Sequence, residues 1–291
     1  MSPWSNYDLK VCSEVLPKEY QITHFCNIES IPIYGCFVLR QDVLSIRQLL
    51  RRVSAKSGLY PVITPLYNSM SLEDFGEWLK YFELATSVEA IGSKAVEIVA
   101  SLNARSIFQD LENYFIEENS LDWKEYFGSE AKIGNIASFE WQHFQGTENH
   151  FSIILLPIKE PWQAALFILR ADPNREHGWE KHPIFSGSST QEEYKLAQLT
   201  LDLMVCKHWW NNYKAELVIF GSNGEFEWLA WEPPSTFKNA LKLAKEQFLY
   251  CNDVIEQHHW FLNNGEFEIF KSGIHLAKVL QLSDKWALWW D

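Results

Sequence analysis

A chain of 291 residues, 47% of them hydrophobic and including 14 Trp and 19 Phe, carries enough apolar material for a sizeable globular core. Its formal net charge of −13 repels phosphate backbones and anionic lipid, which disfavours nucleic-acid and membrane-surface binding and favours a basic protein partner. Five scattered cysteines (Cys12, Cys26, Cys36, Cys206 and Cys251) form neither a disulfide framework nor a zinc spacing, the opening residues carry no signal-peptide pattern, and no apolar run approaches a membrane span, so a soluble protein of the reducing cytoplasm is expected.

In chain order, residues 1–30 show no steady period and read as irregular or short edge structure. Residues 31–40 are rich in β-formers, residues 42–56 carry Val43, Ile46, Leu49, Leu50 and Val53 at helical spacing, and residues 58–66 are again extended. This strand, helix, strand unit has a connection long enough for a right-handed parallel crossover. Arg51 and Arg52 form its one basic spot, read as a solvated helix face with an anion site as the alternative. From 71 to about 127 the pattern turns helical, opening on a weak capping box at Ser71 and Asp74 and continuing through Val88, Ile91, Ala95, Ile98 and Leu102. Glu117 and Glu118 lie near Trp123 and Tyr126, an acidic and aromatic combination that suits a protein interface, although aromatics at helical spacing also read as core. No linker composition demands a cut, so residues 1–291 are treated as one domain with 71–130 as a helical insertion or layer.

Residues 151–156 read as a buried strand closed by Pro157, and 162–170 as a weaker second strand. Residues 172–189 collect Pro, Asn, Gly and Ser and are expected to form a long surface loop. Its Trp179 and Glu180 are candidate binding residues, and its His177 and His182 lack the further ligands of a recognised metal site. Residues 191–212 form a strong helix with His208 on its core or boundary side. Residues 215–220 and 225–231 flank an Asn223-Gly224 turn and predict a hairpin that makes the sheet mixed. A short helix at 274–282 and a Trp-rich strand at 286–291, docked in the sheet, finish the chain. The fold class is therefore α/β of the mixed α+β kind, a mixed sheet covered by helices.

The stretch at 236–257 organises the rest. It starts behind hydroxyl residues suited to an N-cap and carries a buried stripe through Leu241, Ala244, Phe248 and Cys251. Beside the stripe Glu246, Tyr250, Asp253 and Gln257 form a polar row if the helix is unbroken, but Asn252-Asp253 is equally a cap signal that would split it. Two readings of this row stay open. Glu246 and Asp253 can serve as an acid and base pair, and Cys251 at a helix entrance as a nucleophile with His258 or His259 as base. Alternatively the row fastens the helix to the terminal tryptophan strand and Cys251 is a buried structural thiol. His258, His259 and Trp260 then belong to a partner-facing loop. No Walker loop, Gly-x-Gly-x-x-Gly, His-Glu-x-x-His or Gly-x-Ser-x-Gly motif occurs, and neither a cofactor nor a metal is expected.

The run from Lys207 through His208, Trp209 and Trp210 to Leu217, then Pro233-Pro234, Glu246, Tyr250-Cys251, Asp253, Gln257, Leu276-Ala277 and the closing Trp289-Trp290-Asp291, resembles the bacterial family catalogued as domain of unknown function 4253. The likeness covers 205–291 best, with looser matches at Gly58 to Val62, Pro161-Trp162 and Gly178-Trp179. The chain departs from the family pattern at Glu180, His182 and Asn252, and residues 258–271 look inserted. The resemblance implies no activity. The expected function is a non-catalytic protein-binding protein of the immunity or antitoxin type, masking a basic toxin. The competing expectation is a hydrolase or transferase using Glu246, Asp253 and Cys251.

Overall fold

The strands expected near 31–40 and 58–66 are both present and run in the same direction, yet they do not touch. In the computed structural model, which describes residues 6–28, 30–65, 88–102, 108–110, 112–113, 126–127, 138–141, 144, 149–168, 190–220, 225–251, 254–255 and 272–289, another strand lies between them. Helix α1 (Leu9–Ser13) leads to β1 (Thr23–Ile28), β2 (Ile31–Leu39), α2 (Val43–Ser57) and β3 (Tyr60–Pro65). Strand β4 (His150–Leu156) then inserts antiparallel to both β2 and β3. The strand, helix, strand unit is thus a split one, its two strands bridged by a third.

The remaining elements are α3 (Val88–Ser101), a 3-10 turn (Pro161–Ala164) running into α4 (Ala165–Ile168), α5 (Gln191–Tyr213), the hairpin β5 (Ala215–Phe220) and β6 (Glu225–Ala230), α6 (Phe237–Tyr250), α7 (Gly273–Leu282) and β7 (Lys285–Trp289). The seven-stranded sheet has the order β1-β2-β4-β3-β5-β6-β7. Its parallel contact is β3 with β5, registered at Ile63 and Ile219, and the other pairs are antiparallel. The mixed sheet, the hairpin and the docked terminal strand agree with the sequence reading. The turn residues 221–224, the loop at 172–189 with His177 and His182, and most of 71–130 lie outside the described residues.

One expected strand is helical instead. At 161–168 Pro161 pre-sets the first helical position, and the Gln163 side chain accepts from the backbone N–H groups of Lys159 and Glu160 at 3.0 and 2.9 Å. With the orphan N–H groups satisfied and two alanines following, a helical turn wins over a strand. The longer helices obey their sequence signals. Thr190 and Glu193 close a capping box on α5, and Gly58 ends α2 in the left-handed region at φ 71°, a conformation free of steric cost only for glycine.

Helices cover both faces of the sheet. One core gathers Ile154, Leu156, Leu217, Phe226, Trp228 and Trp286 beneath α3, α5, α6 and α7, and the other gathers Phe151, Ile153, Leu155, Val218 and Ile219 beneath α1 and α2. Alternation along β4 between the two cores explains why its sequence reads as continuously apolar. In β5 the neighbours Val218 and Ile219 share one core because a bulge between Leu217 and Ile219 resets the alternation. Gly35 on β2 has its own cause, since a Cβ there would come within 2.5 Å of both the Ile153 carbonyl and the Phe25 ring. All five cysteines are buried and none forms a disulfide. Among the described residues no helix is long and apolar enough to cross a membrane.

Candidate functional site

Helix α6 starts at Thr236, whose hydroxyl accepts from the Asn239 N–H at 3.3 Å, and ends at Cys251 in an extended conformation. Its run stops there, with Val254 and Ile255 in a further helical turn and the Val254 N–H donating to the Cys251 carbonyl at 3.1 Å. The polar row is therefore split, and its members Asp253 and Gln257 lie outside the described residues. The two members on α6 have different surroundings.

Tyr250 points inward. Its hydroxyl donates to Asp202 Oδ1 on α5 at 2.8 Å, a carboxylate that also accepts from Gln198 at 3.3 Å. Its ring meets Trp209 edge to face at 5.4 Å, and Trp209 in turn contacts Trp228 at 5.6 Å and Trp286 at 5.9 Å. Edge-to-face geometry at these separations is the favoured aromatic arrangement. The expected fastening to the terminal tryptophan strand thus exists, but it passes through Trp209 of α5. Cys251 is 1% exposed, its thiol enclosed at the end of α6.

Glu246 faces the other way. It is 3% exposed, and its Oε1 collects the His208 Nε2–H at 3.1 Å and the Lys242 ammonium at 3.3 Å, while Oε2 is buried with no hydrogen-bond partner among the described residues. The His208 ring lies 5.1 Å from that of Phe108. Asn212 Nδ2 donates to the His208 backbone carbonyl at 2.8 Å, which fixes its amide orientation, and the same nitrogen lies against the imidazole at 3.3 Å from Nδ1 and 3.5 Å from Nε2. Glu246 lines a hollow of about 340 Å³ on α6, together with Phe108, Glu112, Lys238, Lys242 and Lys245. Lys245 spans it to Glu112 at 3.0 Å. Burial, followed by the charge of Glu246, pushes the Tyr213 phenol above its ordinary range.

A second buried polar group went unnoticed in the sequence. Glu216 on β5 is 1% exposed and sits between two guanidiniums of α2, with Arg47 Nη2 at 2.9 Å from Oε1 and Arg51 Nε at 2.8 Å from Oε2. Arg47 also reaches the Tyr60 hydroxyl at 3.3 Å, and that hydroxyl donates to the Leu217 carbonyl at 3.4 Å. Burial alone would raise the Glu216 carboxyl, but Arg47 and Arg51 outweigh it and hold the group below the usual carboxylate range. Burial, with Glu216 alongside, pushes the Tyr60 phenol up. Arg51 therefore does not belong to a solvated face. The missed signal was the carboxylate itself, set in the apolar run of a strand buried on both faces, where an acid requires a partner.

Of the surface candidates, Tyr126 is described. It is half-buried and packs against Phe248 at a ring separation of 5.3 Å. Glu117, Glu118, Trp123, Trp179, Glu180, His258, His259 and Trp260 lie outside the described residues. Among the described residues no group of His, Cys, Asp and Glu is arranged to hold a metal.

No curated protein and no solved structure matches the chain. Residues 189–291, the third of the chain that runs from α5 to β7 and contributes Asp202, His208, Asn212, Glu216, Glu246 and Tyr250, match the family model described as "Domain of unknown function (DUF4253)".

Proposed function

We propose that this chain is a non-catalytic, cytoplasmic binding protein that engages a basic protein, as an immunity or antitoxin protein masks its toxin. The observation that carries this reading is the enclosure of His208 and Cys251. A histidine that works as general base offers one ring nitrogen to its carboxylate and keeps the other for the reacting group. Here Glu246 takes Nε2, the Asn212 amide nitrogen lies against the buried ring at 3.3 and 3.5 Å from its two nitrogens, and the Cys251 thiol is shut in the core. A net charge of −13 supports a basic partner by speeding encounter with it. The test is twofold. The chain purified from its native host should bring down a basic protein in stoichiometric amount, released as salt shortens the screening length from ~10 Å at 0.1 M to ~3 Å at 1 M. That partner, expressed alone, should arrest growth, and co-expression with this chain should restore it. The absence of a stoichiometric basic partner, or a harmless one, overturns the proposal.

One observation favours the competing reading of a hydrolase or transferase. Among the described residues Glu246 Oε2 has no partner, and its residue lines a hollow large enough for a small substrate. Turnover abolished by Glu246→Gln, with partner capture intact, would select this alternative.

A further inference from the structure

The end of α5, the end of β6 and the second half of α2 border a separate, open hollow of about 520 Å³. It is lined by Gln48, Arg51, Arg52, Trp210, Lys214 and Trp231. Its charge runs against the rest of the chain. Arg47 and Arg51 together face the one carboxylate of Glu216, which leaves an excess cation beneath the floor. Arg52 is exposed, and among the described residues neither Arg52 nor Lys214 has a carboxylate partner. In a chain with 38 acidic and 25 basic residues, a concave surface whose lining has three cations and no acid is a concentrated exception.

The walls are fixed. Lys214 holds a left-handed conformation at φ 49° as the C-cap of α5, and its ammonium lies over the Trp210 ring at 5.5 Å. Trp231 is tied beside it, its N–H donating to the Lys214 carbonyl at 3.4 Å, and the next residue donates to the Tyr213 carbonyl at 2.9 Å. On the opposite wall Arg51 is held in orientation through Nε on Glu216 and by the face of Tyr60 at 5.2 Å. An indole 51% exposed beside this basic hollow has no covering element among the described residues. A basic rim recognises an anion, preferably phosphate through arginine forks, and an open indole face stacks a flat ring.

We propose that this hollow binds a mononucleotide, its phosphate held by Arg51, Arg52 and Lys214 and its base stacked on Trp231. The site is independent of the Glu246 hollow and of the protein partner proposed above. It needs no phosphate-loop motif, because side-chain cations take the place of backbone amides.

Isothermal titration of the full chain with adenosine monophosphate, adenosine and inorganic phosphate tests it. The monophosphate should bind saturably and more tightly than either fragment. Arg52→Ala and Lys214→Gly should each weaken it about tenfold or more, the glycine keeping the left-handed backbone. Trp231→Ala should cost about tenfold for the monophosphate and leave the affinity for inorganic phosphate unchanged. Thermal unfolding within a few degrees of the parent confirms that the variants are folded. No saturable binding of the monophosphate, affinities unchanged in the folded variants, or phosphate binding as tightly as the nucleotide would each overturn the proposal.

Discussion

Glu216 and Glu246 are buried to nearly the same depth, 1% and 3% exposed, and differ in how completely they are paired. Under α2 both oxygens of Glu216 are closed by guanidiniums, which stay charged at any pH a folded protein meets. On α6 Glu246 offers one oxygen to two partners and leaves the other with none among the described residues. A carboxylate closed on both sides ties strand to helix and has no capacity left. A half-paired one beside a hollow retains acceptor capacity for another donor. Depth of burial alone therefore does not separate a structural acid from one available to a ligand, whereas the state of its second oxygen does.

Substitution tests this contrast most sharply at Glu216. Glu216→Gln leaves the buried Arg47 guanidinium and the part-buried one of Arg51 facing an uncharged group and should cost about 3–5 kcal/mol in denaturant unfolding. A loss below ~1 kcal/mol would remove the distinction. Because folding depresses the Glu216 pKa, its contribution is present above the unfolded value of ~4.3 and is lost as pH falls through the lower folded value. The stability gap between parent and Glu216→Gln should accordingly be full near neutrality and close in acid, which unfolding curves across pH will show. Tyr250→Phe removes a donor from Asp202 and should cost about 1.5–3 kcal/mol by thermal or chemical unfolding. Glu246→Gln should cost about 1 kcal/mol or less, because the amide keeps an acceptor for His208 and the half-exposed Lys242 pair contributes little. A penalty equal to that of Glu216→Gln would show the two acids to be alike. Smallest of all, Lys214→Gly should shift stability by less than ~1 kcal/mol, relief of the left-handed strain offsetting the extra freedom of glycine in the unfolded chain.

Local signals in the sequence located most of the elements. Helices α2, α5 and α7, the hairpin and the terminal strand follow from caps, apolar spacing and turn residues that act within a few positions. The order of strands was not legible, since nothing near Ile31 or Tyr60 announces that His150–Leu156 will lie between their strands. Residues 161–168 misled because Trp, Leu, Phe and Ile suit either structure, and the Gln163 cap decided it. At the site, the helical spacing correctly placed Glu246 and Tyr250 on α6, and the cap signal at Asn252-Asp253 agreed with the observed break. The partners came from elsewhere. His208, Asn212 and Asp202 sit on a helix well upstream, and Arg47 and Arg51 are farther still from Glu216. Pairings across such separations are set by tertiary packing, which a local pattern does not encode.

The central position of β4 bears on how the chain is made. During synthesis β2 and β3 leave the ribosome with the slot between them vacant, each presenting an unpaired edge, and the strand that fills it begins only at His150. Until that moment the nascent N-terminal part cannot complete its half of the sheet, and any truncation before residue 150 should yield an aggregation-prone product in need of chaperones.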